Sequence, residues 1–158
     1  MATDIRTEEF TKILFALLEE THHTVDGLYL DPGTSLKETL GAIDAEAASR
    51  PLVADGSTVA GHVNHAEFYL QVMMDYMQGK WYEKVDWKAA WATRTVTADE
   101  WEALKSKLFT ALERVRELWS SFDDWNDERR LGGAMGIVAH TAFHLGAIRQ
   151  FLTVVKGQ

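Results

Sequence analysis

The chain contains no cysteine. Disulfides, zinc fingers, cysteine-ligated iron–sulfur clusters and cysteine nucleophiles are excluded together, so any metal must sit mainly on nitrogen or oxygen. Proline is scarce too: Pro32 and Pro51 are the only two in 158 residues, which leaves long stretches free to run as helices. Basic residues are outnumbered 16 to 24, giving a formal charge of −8. Such a surface repels phosphate backbones and anionic headgroups over a Debye length, so nucleic acid is not an expected partner. Long apolar runs are missing as well. The longest, Ile13 to Leu18 and Leu131 to Ala139, fall short of the roughly 20 residues that span a bilayer. The N-terminus carries Asp4, Arg6, Glu8 and Glu9 without an apolar core region. No membrane span and no signal peptide are expected, and a cytoplasmic location follows from those two readings.

What remains is ordinary globular composition, with 46% hydrophobic and 25% charged residues. A chain of this length makes one domain, residues 1–158, able to bury roughly 70% of its unfolded surface. Phe10, Ile13, Leu14, Leu17 and Leu18 mark one apolar stripe on a helix from about Asp4 to Val25, ending near Gly27. Asp31, Pro32 and Gly33 form a turn, and Ser35 with Glu38 makes a capping box for a short second helix closed by Arg50 and Pro51. A third helix runs from about Thr58 to Gln78, with Val59, Val63, Ala66, Leu70, Met73 and Met77 on one face and Gly79 as its stop. Lys80 to Val96 has no helical period but holds Trp81, Trp87 and Trp91, so it reads as an aromatic-anchored crossover over the bundle end. Thr97 and Glu100 open another helix, with Trp101, Leu104, Leu108, Leu112, Val115 and Trp119 inward, ending near Ser121. The last helix runs from about Gly133 to Val155. The pattern predicts an all-α fold: a four-helix bundle with a long crossover connection.

All six histidines fall in pairs on three predicted helices: His22 with His23, His62 with His65, and His140 with His144. His140 and His144 are i, i+4, so both rings project from one face a turn apart, the spacing two imidazoles need to chelate one ion. That face also carries Ile137, Ile148 and Leu152 and is the buried one. On the Thr58–Gln78 helix, His62 lies about 60° from the stripe centre and His65 about 120° away, at 100° per residue. His62 is the inward candidate and His65 the rim residue, with the exchange of the two left open. His22 and His23, at a helix end where a cation suits the dipole, are assigned capping or surface roles. Two histidines from one helix and one from a facing helix leave an open coordination position, as in catalytic zinc sites. A di-iron carboxylate site needs Glu-x-x-His on two helices, and only Glu19 with His22 and Glu20 with His23 supply it, both on the first. A His-Glu-x-x-His motif is absent.

The run His140-Thr-Ala-Phe-His144-Leu-Gly-Ala-Ile-Arg, preceded by Gly132 and Gly133, resembles the last-helix signature of the DinB-like four-helix-bundle family. Gly61-His62-Val63-Asn64-His65-Ala66-Glu67 resembles that family's second-helix histidine motif, and the tryptophan-rich crossover agrees in position. Ala147 stands where the family often has glutamine. The resemblance implies a divalent metal, commonly zinc or nickel, on three histidines that would be His62, His140 and His144, usually in a homodimer. It also implies thiol-dependent S-transferase or mycothiol-dependent isomerase chemistry, in which the metal favours the thiolate of a low-molecular-weight thiol. A metal-bound thiol is deprotonated, and the thiolate is the nucleophile. Three readings therefore stand: a metal-dependent thiol S-transferase or hydrolase acting on a small molecule, a non-catalytic metal-binding stress or accessory protein, and a plain helical dimerisation module. Nitrogen ligands alone do not select among zinc, nickel, manganese and iron.

Overall fold

The computed structural model describes residues 6–51 and 53–156. All regular structure among them is helical, in four long and two short helices: α1 (Thr7–His22), α2 (Leu36–Gly41), α3 (Ala45–Ala48), α4 (Val59–Met77), α5 (Ala98–Ser120) and α6 (Glu128–Lys156). The start expected for the first helix at Asp4 lies outside the described residues. Local chemistry sets most of the ends. Ser35 and Thr97 make full capping boxes with Glu38 and Glu100, and the Thr58 hydroxyl accepts from the Gly61 amide. Gly79, at φ +81°, turns the chain out of α4.

Two boundaries depart from the periodicity. The single short helix expected between Ser35 and Pro51 is broken in two, because Asp44 caps a fresh start by accepting from the Ala47 amide at 2.8 Å. The last helix begins five residues ahead of Gly133. Asp127 Oδ1 accepts from the Arg129 and Arg130 amides, so the first turn forms before the glycines. Gly133 serves packing: a Cβ there would lie 2.4 Å from Met77 Cγ.

α4 packs against both α5 and α6, and α6 also packs against α1. Side chains of α1 and α5 meet as well, where Phe15 lies edge-on to Trp119 at 5.8 Å and Arg116 pairs with Glu19. One core cluster joins all four, with Leu18, Leu70, Leu112, Trp119, Ile137 and Leu145 among its most enclosed members. Glu20, on α1, is buried and accepts from the amides of Asp26, Leu28, Tyr29 and Leu30, which ties the following loop to the helix end.

Glu128–Val154 is long and apolar enough, by length and composition, to cross a membrane, although 39% of its most apolar window is buried inside the fold. Histidine, threonine and glycine interrupt its apolar residues without making it hydrophilic.

Candidate metal centre

The first turn of α4 and the middle of α6 face one another, and the crossover covers the gap between them. Gly61 makes this cover possible, since a Cβ there would lie 3.0 Å from the Thr93 carbonyl oxygen. Asn64 donates to the Ala90 carbonyl at 2.8 Å and pins the 3-10 turn Ala89–Trp91 in place. The Trp91 indole is thereby laid flat on His65, with centroids 4.3 Å apart at 17°. On the other side Tyr69, one turn after His65, stacks on His140 at 3.6 Å and 10°.

Inside this aromatic enclosure His65, His140 and His144 each offer a ring nitrogen within 4.8 Å of the other two. His140 Nε2 and His144 Nε2 are 3.3 Å apart. His62 joins the same cluster from its α4 position and sits Nδ1 to Nδ1 against His144 at 2.9 Å, with its Nε2 3.1 Å from the Ser57 hydroxyl. Among the described residues the polar partners of these four rings are one another and Ser57, with no carboxylate in contact.

The electrostatics follow from enclosure. Burial pushes His144 down to about 3, helped by the neighbouring imidazoles of His140, His62 and His65. Burial, with His65 second, holds His62 and His140 at about 4, and burial lowers His65 too. All four rings are neutral at pH 7, so each can present a lone pair to a cation. Buried Nδ1 atoms of His65 and His140 have no hydrogen-bond partner. Three neutral ring nitrogens drawn together without a carboxylate fit a nitrogen-preferring divalent ion of the zinc, nickel or copper type better than calcium or magnesium.

The residues singled out from sequence are distributed as follows. His62, His140 and His144 come together, but the set sharing one ligand-sized space contains His65 in place of His62. His65 is not a rim residue; it is buried, 8% exposed. An angle measured from Val59, Ala66 and Leu70 places His65 toward solvent, but the crossover, with Trp91 on His65, covers that side of α4. The i, i+4 pair His65 and Tyr69, with Trp91 in the aromatic crossover expected over the bundle end, was the available signal. His22 is likewise not at the surface. It is 1% exposed with Nε2 unpartnered, and burial pushes it to about 3, so it cannot act as a cationic cap. His23 is half-buried, against Phe109 and 3.4 Å from Glu113. Trp91 covers the site, Trp87 flanks it while partly exposed, and Trp81 is 77% exposed.

Comparison with protein families, curated proteins and solved structures finds no match for this chain in any of the three.

Proposed function

We propose that this chain is a divalent-metal protein of the DinB-like four-helix-bundle type, whose three-histidine centre serves thiol-dependent S-transferase chemistry. The observation that carries the reading is the convergence of His65, His140 and His144, neutral and enclosed, within 4.8 Å. Two ligand nitrogens of a tetrahedral zinc at the usual 2.0–2.1 Å stand about 3.3 to 3.4 Å apart. The 3.3 Å between His140 Nε2 and His144 Nε2 fits that edge. The ring of helix contacts from α1 through α6 and α4 to α5 and back supports the bundle assignment.

A zinc or nickel ion on three neutral nitrogens would supply Lewis acidity and one open position for a thiol or water. The protein's own groups have other tasks. Trp91 and Tyr69 hold the His65 and His140 rings in plane and exclude water from that side. With no cysteine in the chain, the thiol comes from a small molecule. With an activated aryl halide, the sulfur–carbon bond forms as the carbon–halogen bond breaks, halide departs and the thiol proton passes to solvent.

The test is metal content after purification without chelators, followed by calorimetry with cysteine, glutathione, bacillithiol and mycothiol. One metal per chain and thiol binding support the reading; none of the thiols binding at millimolar concentration, with an ester or amide turned over, replaces it with a hydrolase. One observation favours the non-catalytic alternative. The neighbouring cavity of about 240 Å³ has Ser57, Gly61 and Trp91 in its wall and none of the three histidines. A metal-loaded protein that binds no thiol and turns nothing over would establish that alternative. A homodimer completes the proposal, supported by the uncharged outer side of α6, where Met135 and Phe143 are exposed. Sedimentation as a monomer at micromolar concentration would remove it.

A further inference from the structure

We infer that His62 is the residue that orients His144, by receiving its Nδ1–H, rather than a metal ligand; this rests on the metal reading above. The two contacts of the His144 ring differ in kind. Its Nε2 stands 3.3 Å from His140 Nε2, beyond the 2.7–3.2 Å range of good N–H hydrogen bonds and at the spacing of two ligands on one ion. Its Nδ1 stands 2.9 Å from His62 Nδ1, the length of an ordinary hydrogen bond and too short for two nitrogens on one tetrahedral ion, which need about 3.3 Å.

Tautomer logic then fixes the chain of bonds. With the His144 Nε2 lone pair given to a cation, its proton resides on Nδ1 and points at His62. His62 must accept there, so as a neutral ring it carries its own proton on Nε2. That atom is 3.1 Å from the Ser57 hydroxyl oxygen, which accepts. The line runs His144 to His62 to Ser57, each donor facing an acceptor. His62 is itself fixed by edge contacts with Trp91 at 5.1 Å and Phe151 at 5.6 Å, which leaves its ring little freedom to turn. Ligating histidines usually give their second N–H to a carboxylate, carbonyl or water. Here an imidazole takes that part, consistent with a cluster that has no carboxylate partner. The arrangement explains why two histidines three residues apart on α4 both point inward: His65 coordinates and His62 aims.

The test uses the full chain and Co(II) as the probe, in wild type, His62→Ala and His62→Gln, with helicity checked by circular dichroism. Affinity is read by competition with a chromophoric chelator, and the ligand field by the visible spectrum. Loss of a partner that orients a ligand lowers affinity about 10- to 100-fold. His62→Ala should fall in that range with an unchanged Co(II) spectral shape, and His62→Gln, whose carbonyl oxygen can accept, should recover most of it. In the zinc-loaded wild type, long-range proton–nitrogen NMR should show His62 neutral with its proton on Nε2. A changed spectrum without recovery in His62→Gln, or a His62 ring protonated on Nδ1, would make His62 a ligand or a bystander and overturn the inference. Equal affinity of His62→Ala and wild type would overturn it while leaving the metal site intact. A wild type that takes up no Co(II) would refute the metal reading itself.

Discussion

Replacing His22 with leucine should make the protein markedly more tolerant of acid. The imidazole is 1% exposed in the last turn of α1, its Nε2 has no partner, and burial, with His23 beside it, pushes its protonation down to about 3 from an ordinary 6.5. The folded chain therefore holds no proton on His22 where the unfolded chain does, and stability falls as pH drops below 6.5. It continues to fall until about pH 3, where the folded ring also charges, and above 6.5 nothing is lost. Each pH unit inside that window removes about 1.4 kcal/mol, so at pH 5 the loss is about 2 kcal/mol. With a urea slope of about 2 kcal/mol per molar, that is a midpoint lower by about 1 M. The assay is urea unfolding of wild type and His22→Leu at pH 7.5 and pH 5 with chelator present. Other groups titrate in the same interval, including the four clustered histidines, but they are common to both proteins and cancel in the comparison. Leucine keeps the apolar bulk, so the pH 7.5 midpoints set the baseline for packing. Equal midpoint shifts on acidification would show that His22 is solvated or paired in solution and would refute the reasoning.

Zinc at a hundred times its dissociation constant should stabilise wild type by about 2.7 kcal/mol, raising the thermal midpoint by about 8 °C for a chain of this length. His65→Ala and His140→Ala should both lose that shift, read by differential scanning fluorimetry, and a retained shift in His65→Ala would return the ligand role to His62. Gly133→Ala should destabilise by about 1–3 kcal/mol despite alanine's better helix propensity, because its Cβ meets Met77 at 2.4 Å. Gly146→Ala, with nothing within 4 Å, should instead gain up to about 1 kcal/mol; urea midpoints for the pair separate packing from propensity.

The helical class and most boundaries were readable because they depend on local signals. Capping boxes at Ser35 and Thr97, the Thr58 cap and the Gly79 stop are all local. The early start of α6 was missed because Asp127 caps a turn that precedes two glycines, and glycine lowers helix propensity enough to mask the start. At the site, the spacing of His140 and His144 gave both residues at once, since both lie on one helix. The choice between His62 and His65 could not be made that way. It depends on where residues 80–96, a segment without helical period, fold back, and on the lack of a Cβ at Gly61, which lets the Thr93 carbonyl of that segment come close while Trp91 lies on His65. His22 failed for a similar reason: a helix end is not a surface when the next loop is drawn over it, and Glu20 draws the loop in through four amides.

The charge of the ligand set bears on what the centre is for. Carboxylate ligands offset part of a dication's charge, whereas three imidazoles are neutral donors and offset none. The rings that enclose His65 and His140 are those of Trp91 and Tyr69, which bring no formal charge at neutral pH; burial moves the Tyr69 phenol further from ionising. His62, the fourth histidine, is neutral as well. A cation held here stays uncompensated by any contact within the cluster, and in a poorly solvated enclosure an uncompensated charge is costly. An anionic fourth ligand, either a thiolate or the hydroxide of an ionised bound water, removes that cost and a neutral water does not. The chain has no cysteine, so a thiolate in that position comes from outside the protein. This favours a centre with an exchangeable anionic fourth ligand, thiolate or hydroxide, over one whose ion only braces the helices.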